Sequence, residues 1–260
     1  MILINASYNP PASLLADKVV LVTGASRGIG RAIAKTYAKH GATVILLARS
    51  VKLLSSLYDE IEALNGPTPA IYPFNLANAT PHDYEDLRDN IQNHFGRLDG
   101  LVHNAALLGT LTPIEHYPIE QWYQVLQTNL HSPFLLTQVA LPLLKKASDA
   151  SIIFTCADEG IKGKAYWGAY GVSKFGLIGL AQTLAEELKS NTAIRVNCIN
   201  PVRSRTQLRA SAYPGENSKK NPMPENMMNY YLYLMGDDSQ CVTGETVTIG
   251  HNKIELVEVN

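Results

Sequence analysis

Short, almost continuously apolar runs alternate along the chain with longer stretches in which apolar residues return every three or four positions. The runs "KVVLVT" (18–23), "ATVILLA" (42–48), "AIYPF" (70–74), "DGLVH" (99–103), "ASIIFT" (150–155), "AIRVNCI" (193–199) and "TVTIG" (246–250) predict strands. Strands that read this way are buried on both faces, which is the signature of a parallel sheet. The periodic stretches predict helices over 28–40, 51–64, 81–95, 119–146, 165–189 and roughly 224–235. Regular β-α-β-α alternation predicts a single α/β unit. Its core is a doubly wound parallel sheet of about seven strands, with helices on both faces and right-handed crossovers.

Two segments fall outside the pattern. Residues 1–17, with Pro10-Pro11, predict an extension on the surface ahead of a domain at 18–260. Residues 203–224, "RSRTQLRASAYPGENSKKNPMP", carry no strong period and sit between the sixth strand and the last helix, where a mobile lid over a site belongs.

Composition narrows the function classes. A formal charge of −1 with no basic block argues against nucleic acid and against a polybasic membrane surface. The apolar runs are far too short to span a bilayer, and the N-terminus lacks a basic leader. Cys156, Cys198 and Cys241 are widely spaced, which predicts reduced thiols in the cytoplasm. The seven histidines are scattered without ligand spacing, so no metal is expected.

"VVLVTGASRGIGRAIA" reads strand, turn, helix. Gly24, Gly28 and Gly30 let such a turn close tightly and let the backbone approach a pyrophosphate at the helix N-terminus. The second strand ends in Ala48-Arg49, without the acid that favours an unphosphorylated ribose. Arg27 and Arg49 together suit a ribose 2′-phosphate, since guanidinium groups make forked, charge-assisted bonds to phosphate.

Tyr170 and Lys174 stand one helical turn apart on a single face. A phenol titrates near ~10, and a neighbouring ammonium favours its ionised form. The pair therefore predicts a general acid toward a carbonyl, or a base toward an alcohol.

Taken in order, "TGASRGIG", "HNAA" (103–106), Asn129, "YGVSK" (170–174) and "NPVRSRT" (200–206) resemble the motifs of the short-chain dehydrogenase/reductase family, in its NADP-preferring branch. "WGAYGVSKFG" and "YLMGDDS" further resemble a bacterial oxoacyl-(acyl-carrier-protein)-reductase-like subgroup. The resemblance runs from about Lys18 to Gly250. It implies a Rossmann-type domain, NADPH/NADP as cofactor and a small-molecule carbonyl or alcohol as substrate. It also implies a homodimer or homotetramer with its seam on the helices at 119–146 and 165–189. By motif position, Gly24, Arg27, Gly28, Ile29 and Gly30 would hold the pyrophosphate and phosphoribose end, and Arg49 the 2′-phosphate. Asn75 and Leu76 would meet the adenine, and Asn104 would support the central strand and the ribose. Thr206 would contact the pyrophosphate or carboxamide, Lys174 the nicotinamide ribose, and Asn129 a water in a proton relay.

Three positions depart from the family pattern. Ala157 stands thirteen residues before Tyr170, where the family places a serine that orients the substrate oxygen. Side-chain alternation turns Cys156 and Asp158 away from Ala157, and Thr155 shares its face one step further back. Ala106 and Val202 replace two family glycines. All three changes lie toward the nicotinamide half. Two readings follow: a working reductase, with or without a rebuilt pocket, or an NADP(H)-binding regulatory protein of weak activity. The lid's Arg203, Arg205 and Arg209 could meet an acidic substrate or carrier, or could simply be solvated.

Overall fold

A computed structural model of the 260-residue chain describes residues 8–250 and the backbone of 254–256. The remainder of the predicted extension (1–7) and of the predicted domain (251–253 and 257–260) lies outside the described residues. Seven parallel strands form one sheet: β1 (Val19–Thr23), β2 (Thr43–Ala48), β3 (Ala70–Pro73), β4 (Gly100–His103), β5 (Ala150–Thr155), β6 (Ile194–Asn200) and β7 (Thr246–Ile249). Their order is β3-β2-β1-β4-β5-β6-β7. An eighth strand, β8 (Ile254–Leu256), pairs antiparallel with β7 at the edge and has no counterpart among the predicted strands.

Helices cover both faces. On one side α1 (Gly28–Lys39), α2 (Val51–Glu62) and α8 (Met228–Met235) pack a core around Val20, Val22, Ile33, Tyr37, Leu54 and Tyr231. Tyr37 is fully buried, and its hydroxyl donates to the Tyr231 carbonyl at 2.9 Å, so its polar tip is not left unpaired. On the other side α3 (Pro81–Phe95), α5 (Ser132–Leu144) and α6 (Gly168–Leu188) pack against Leu21, Leu101, Ile152 and Val196. The strand order reverses where β1 has β2 on one side and β4 on the other, and ligand clefts of such sheets open at the carboxyl ends of those strands.

One predicted element is corrected. The helix expected over 119–146 is broken into α4 (Ile119–Leu126), a π-helical turn (Gln127–His131) and α5. A π turn keeps the apolar period nearly intact, so periodicity does not reveal it. The predicted lid contains a short helix, α7 (Gln207–Ala212), capped by Thr206, whose hydroxyl accepts from the Arg209 amide at 3.1 Å. The predicted surface extension is anchored: Leu15 is fully buried in the core, and its amide donates to the His40 carbonyl at 2.9 Å.

Candidate active site

The turn after β1 sets the shape of the cleft. Gly24 has φ +67°, and a Cβ there would stand 2.9 Å from the Ala105 Cα. At Gly30 a Cβ would meet the Gly24 carbonyl oxygen at 2.3 Å. Neither position admits a side chain, so the turn stays thin enough for a flat anionic group to lie against the start of α1. Arg27 caps that helix without a side-chain hydrogen bond, and no acid occupies its first turn. The positive end of α1 therefore faces the cleft uncompensated.

Beside the turn, Thr23 binds the end of β4. Its hydroxyl accepts from the amides of Asn104 (2.9 Å) and Ala105 (3.1 Å), and Asn104 Nδ2 donates to the Thr23 carbonyl at 3.2 Å. Thr23, absent from the sequence-based site, fixes the segment from which Asn104 faces the cleft.

The cleft, about 810 Å³ in volume, runs from this turn to α6. That is ample for a dinucleotide's reacting half with a small second molecule. Gly24, Arg27, Gly28, Ile29, Arg49, Asn75, Leu76, Asn104, Thr206, Tyr170 and Lys174 all line it. Gly30 and Asn129 do not; both stand behind its wall. Arg27 and Arg49 are exposed at one end, and Arg27 donates to Gln207 Oε1 at the start of α7. Thr206 faces Gly28, with its methyl 3.3 Å from where a Cβ on that glycine would be. The residues present thus suit a phosphorylated dinucleotide: a thin amide-rich turn, two arginines at the outer end and a buried tyrosine–lysine pair at the inner one.

At that inner end Tyr170 is 6% and Lys174 2% exposed. Lys174 Nζ donates to the Thr155 carbonyl at 2.7 Å and lies 5.6 Å from the centre of the Tyr170 ring. Burial pushes the Tyr170 phenol above its ordinary value, and the Glu159 carboxylate adds to the rise. Burial brings the Lys174 ammonium down to about 8. The expected lowering of the phenol by Lys174 is therefore not a property of the resting site, where desolvation outweighs the ammonium.

Asn129 sits in the π-helical turn and is 1% exposed. Its Oδ1 accepts from the Leu107 amide (2.8 Å), and its Nδ2 donates to the Leu107 carbonyl (2.9 Å) and to Ser173 Oγ (3.0 Å). Both amide protons are spent, so the side chain clamps the segment after β4 to α6 and has no donor left for a water.

The chain neighbours of the serine position do not stand in for it. Ala157 is extended and joins an apolar cluster with Trp167, Tyr170, Ala212 and Tyr213. Thr155 Oγ1 pairs with the Tyr231 hydroxyl at 3.1 Å, on the far side of the sheet. Asp158 accepts from Asn200 Nδ2 at 2.7 Å. Cys156 is 2% exposed and packs into the core beneath α6.

The two lost glycines differ in consequence. Ala106 is not among the described residues with positive φ, so its methyl costs the backbone nothing. Val202 has φ +53°. A β-branched residue in the left-handed region is a true outlier, costing about 1–2 kcal/mol. The Asn200 side chain helps hold it there by accepting from the Val202 amide at 3.0 Å. Val202→Gly should raise stability by about 1 kcal/mol after the added chain entropy is subtracted. A thermal melt should then shift up by roughly 2–4 °C; an unchanged or lower midpoint would mean that the strain is absorbed elsewhere.

Comparison with known proteins matches this geometry. The short chain dehydrogenase family model matches residues 18–217. The chain belongs to the short-chain dehydrogenase family. It is 44% identical to the uncharacterized oxidoreductase YciK of Escherichia coli K12, over 92% of this chain and 94% of that protein. A solved structure from Pseudomonas syringae superposes with a TM-score of 0.91 at 50% identity, covering 93% of this chain and 98% of the other. Another, from Escherichia coli CFT073 and complexed with NADPH, superposes at 0.89 with 44% identity, covering 92% and 99%. As a member of this family the protein is an oxidoreductase. Among the described residues no helix is long and apolar enough to cross a membrane.

Like Thr23, Glu159 is absent from the sequence-based site. It lines the cleft at 8% exposure, accepting from Lys164 and Tyr213 at 3.3 Å each. It sits in a 3-10 turn (Asp158–Gly160), where the period-two rule of a strand no longer assigns a face.

Proposed function

We propose that this short-chain dehydrogenase is an NADPH-dependent carbonyl reductase. The observation that carries the reading is the convergence of Tyr170 and Lys174 on the same cleft into which the glycine turn opens. NADPH, when bound, supplies the hydride. Gly24, Gly28, Ile29 and the first turn of α1 would hold the pyrophosphate, Gly30 giving the turn its closeness. Arg27 and Arg49 would bind the 2′-phosphate, Asn75 and Leu76 would flank the adenine, Asn104 would support the ribose, and Thr206 would bound the phosphate side. The NADPH-complexed relative supports this choice of cofactor.

Tyr170 is the proton donor. Its raised phenol stays protonated across neutral pH, as a general acid must. When the proton leaves, the phenolate is left in a desolvated site near the Lys174 ammonium, where charge stabilisation is worth more than in water. Replenishment would run past Lys174 to the π-helical turn. With the Asn129 amide committed, the relay water falls to the main chain there, since a π turn displaces the carbonyl ladder by one residue.

This arrangement fixes a pH dependence. Lys174 loses its charge as pH rises through about 8, while Tyr170 titrates only above the ordinary phenol range. The kcat for reduction should therefore fall across a single alkaline step near pH 8, measured by NADPH oxidation at saturating substrate. A flat profile through that region would remove Lys174 from the charge balance.

A second reading, an NADP(H)-binding protein of weak activity, is favoured by one observation: neither Thr155 nor Asp158, the polar neighbours of Ala157, is free to replace the lost hydroxyl. The deciding experiment pairs cofactor affinity with turnover on a panel of ketones, aldehydes and oxoacyl thioesters. Efficient oxidation of NADPH by any one of them supports the reductase; micromolar binding with none supports the alternative. The exposed Phe134, Val172 and Phe175 on α5 and α6 would form the subunit seam of a homodimer or homotetramer. The free Cys156, Cys198 and Cys241 fit a cytoplasmic setting.

A further inference from the structure

Beyond Tyr170 the cleft ends in a chamber whose chemistry is uneven. Trp167 and Tyr213 form one wall, with ring centres 5.7 Å apart, and Trp167 meets Tyr170 edge-on at 5.5 Å. Leu108, Leu208, Ala106 and Ala157 close the remaining sides as one apolar cluster with these rings. The residues that break the usual pattern, Ala157 and Ala106, both add methyl groups to this surface.

The charges around the chamber are already matched. Lys164 Nζ lies 4.7 Å from the Trp167 ring centre and 4.8 Å from that of Tyr213, and donates to the Tyr213 hydroxyl and to Glu159. Arg209 stacks on Tyr213 at 3.8 Å, and its fork is closed by Glu216 at 2.8 and 3.0 Å. Arg205 is turned into the lid, donating to the carbonyls of Ser218, Lys219 and Asn221. Of the lid arginines, the two that line the cleft, Arg205 and Arg209, are thus both engaged and not left for a substrate carboxylate or phosphate. Among the residues that line the cleft, the one carboxylate is the buried Glu159.

We infer that this chamber takes neutral carbonyl compounds, or their alcohols, with a flat or cyclic apolar body, and rejects anionic oxo acids. The inference rests on the carbonyl-reductase reading and names its substrate class. Ring stacking on Trp167 and Tyr213 supplies the attraction, through area and aromatic geometry. Rejection follows because an entering anion must be desolvated among apolar walls beside Glu159, whose partner Lys164 is already engaged, while the lid cations that line the cleft are closed by Glu216 and by main-chain carbonyls.

Trp167 reports binding directly. In a Trp122→Phe background, which leaves Trp167 as the one tryptophan of the chain, fluorescence quenching is titrated with three ligands in the presence of NADP. These are 4-methylcyclohexanone, 4-oxocyclohexanecarboxylate and open-chain hexan-2-one. The neutral ring should bind about 50-fold more tightly than its carboxylate analogue, and more tightly than hexan-2-one. Glu159→Gln should shrink the ratio between neutral and anionic ring at least about tenfold. Equal or tighter binding of the carboxylate overturns the inference, as does the absence of saturable quenching by the neutral ring. Hexan-2-one binding as well as the ring would overturn the cyclic part. A ratio unmoved in Glu159→Gln would overturn the role of that carboxylate, and the ratio in the unsubstituted wall stands as a test even if the variant fails to fold. NADPH oxidation measured in parallel separates the two levels. Selective binding of the neutral ring without turnover sinks the reductase reading alone, whereas turnover that favours the carboxylate sinks the substrate class alone.

Discussion

Tyr170→Phe should lower kcat about 10³-fold or more while leaving cofactor affinity within a few-fold of its starting value. The substitution removes one oxygen atom. The ring stays in its buried place against Trp167, and among the described residues no hydrogen bond to another side chain depends on the Tyr170 hydroxyl, so the fold should be unaffected. What disappears is the phenol that stands beside Lys174. General acid catalysis is worth typically 10²–10⁴-fold, and the upper part of that range is the expected loss. The check is single-turnover NADPH oxidation alongside a separate cofactor titration. Activity retained within tenfold would show that the proton comes from elsewhere.

The opposite change is expected at the other gap in the site. Ala157→Ser should raise kcat/KM by about 10–100-fold, because one well-placed donor to a developing oxyanion is commonly worth ~10²–10³. The position suits it: Ala157 is extended, half-buried, lines the cleft and belongs to the same cluster as Tyr170. The gain should appear chiefly in kcat, since the donor acts on charge that forms only at the transition state. Steady-state kinetics on one substrate before and after the exchange decide the matter. A fall in kcat/KM would mean that the chamber has been reshaped around the methyl group and that the added hydroxyl is an intruder.

Much of this was legible in the sequence, and the parts that were not share a physical cause. Strands β1 to β7 were readable because burial on both faces demands uninterrupted apolar runs, a demand that tertiary context cannot relax. The thin turn at Gly24–Gly30 was readable because only glycine fits there. Val202 could be flagged as an exception, but its φ of +53° could not be read from one valine. The π turn around Asn129 was hidden, since one inserted residue barely disturbs a helical period. The bonds of the Asn129 side chain to Leu107 and Ser173 were hidden with it. The Glu159–Lys164–Tyr213 contact was equally unreadable: it joins positions as far apart as 159 and 213, and pairings across such distances are set by the closed fold and not by local pattern. The lid's arginines looked free in sequence because each partner, from Glu216 to the carbonyls at 218–221, lies within a stretch that has no periodic signal.

Those same arginines fix the shape of the segment. Among the described residues the Arg205 and Arg209 side chains make all of their hydrogen bonds to positions between 216 and 221, and Asn221 Nδ2 adds another to Glu216 at 3.0 Å. The stretch is stitched to itself, and the Val202 backbone at φ +53° stands just before it, where the chain leaves β6. Strain and self-bonding are thus neighbours there, so reshaping this part of the chain breaks several bonds at once.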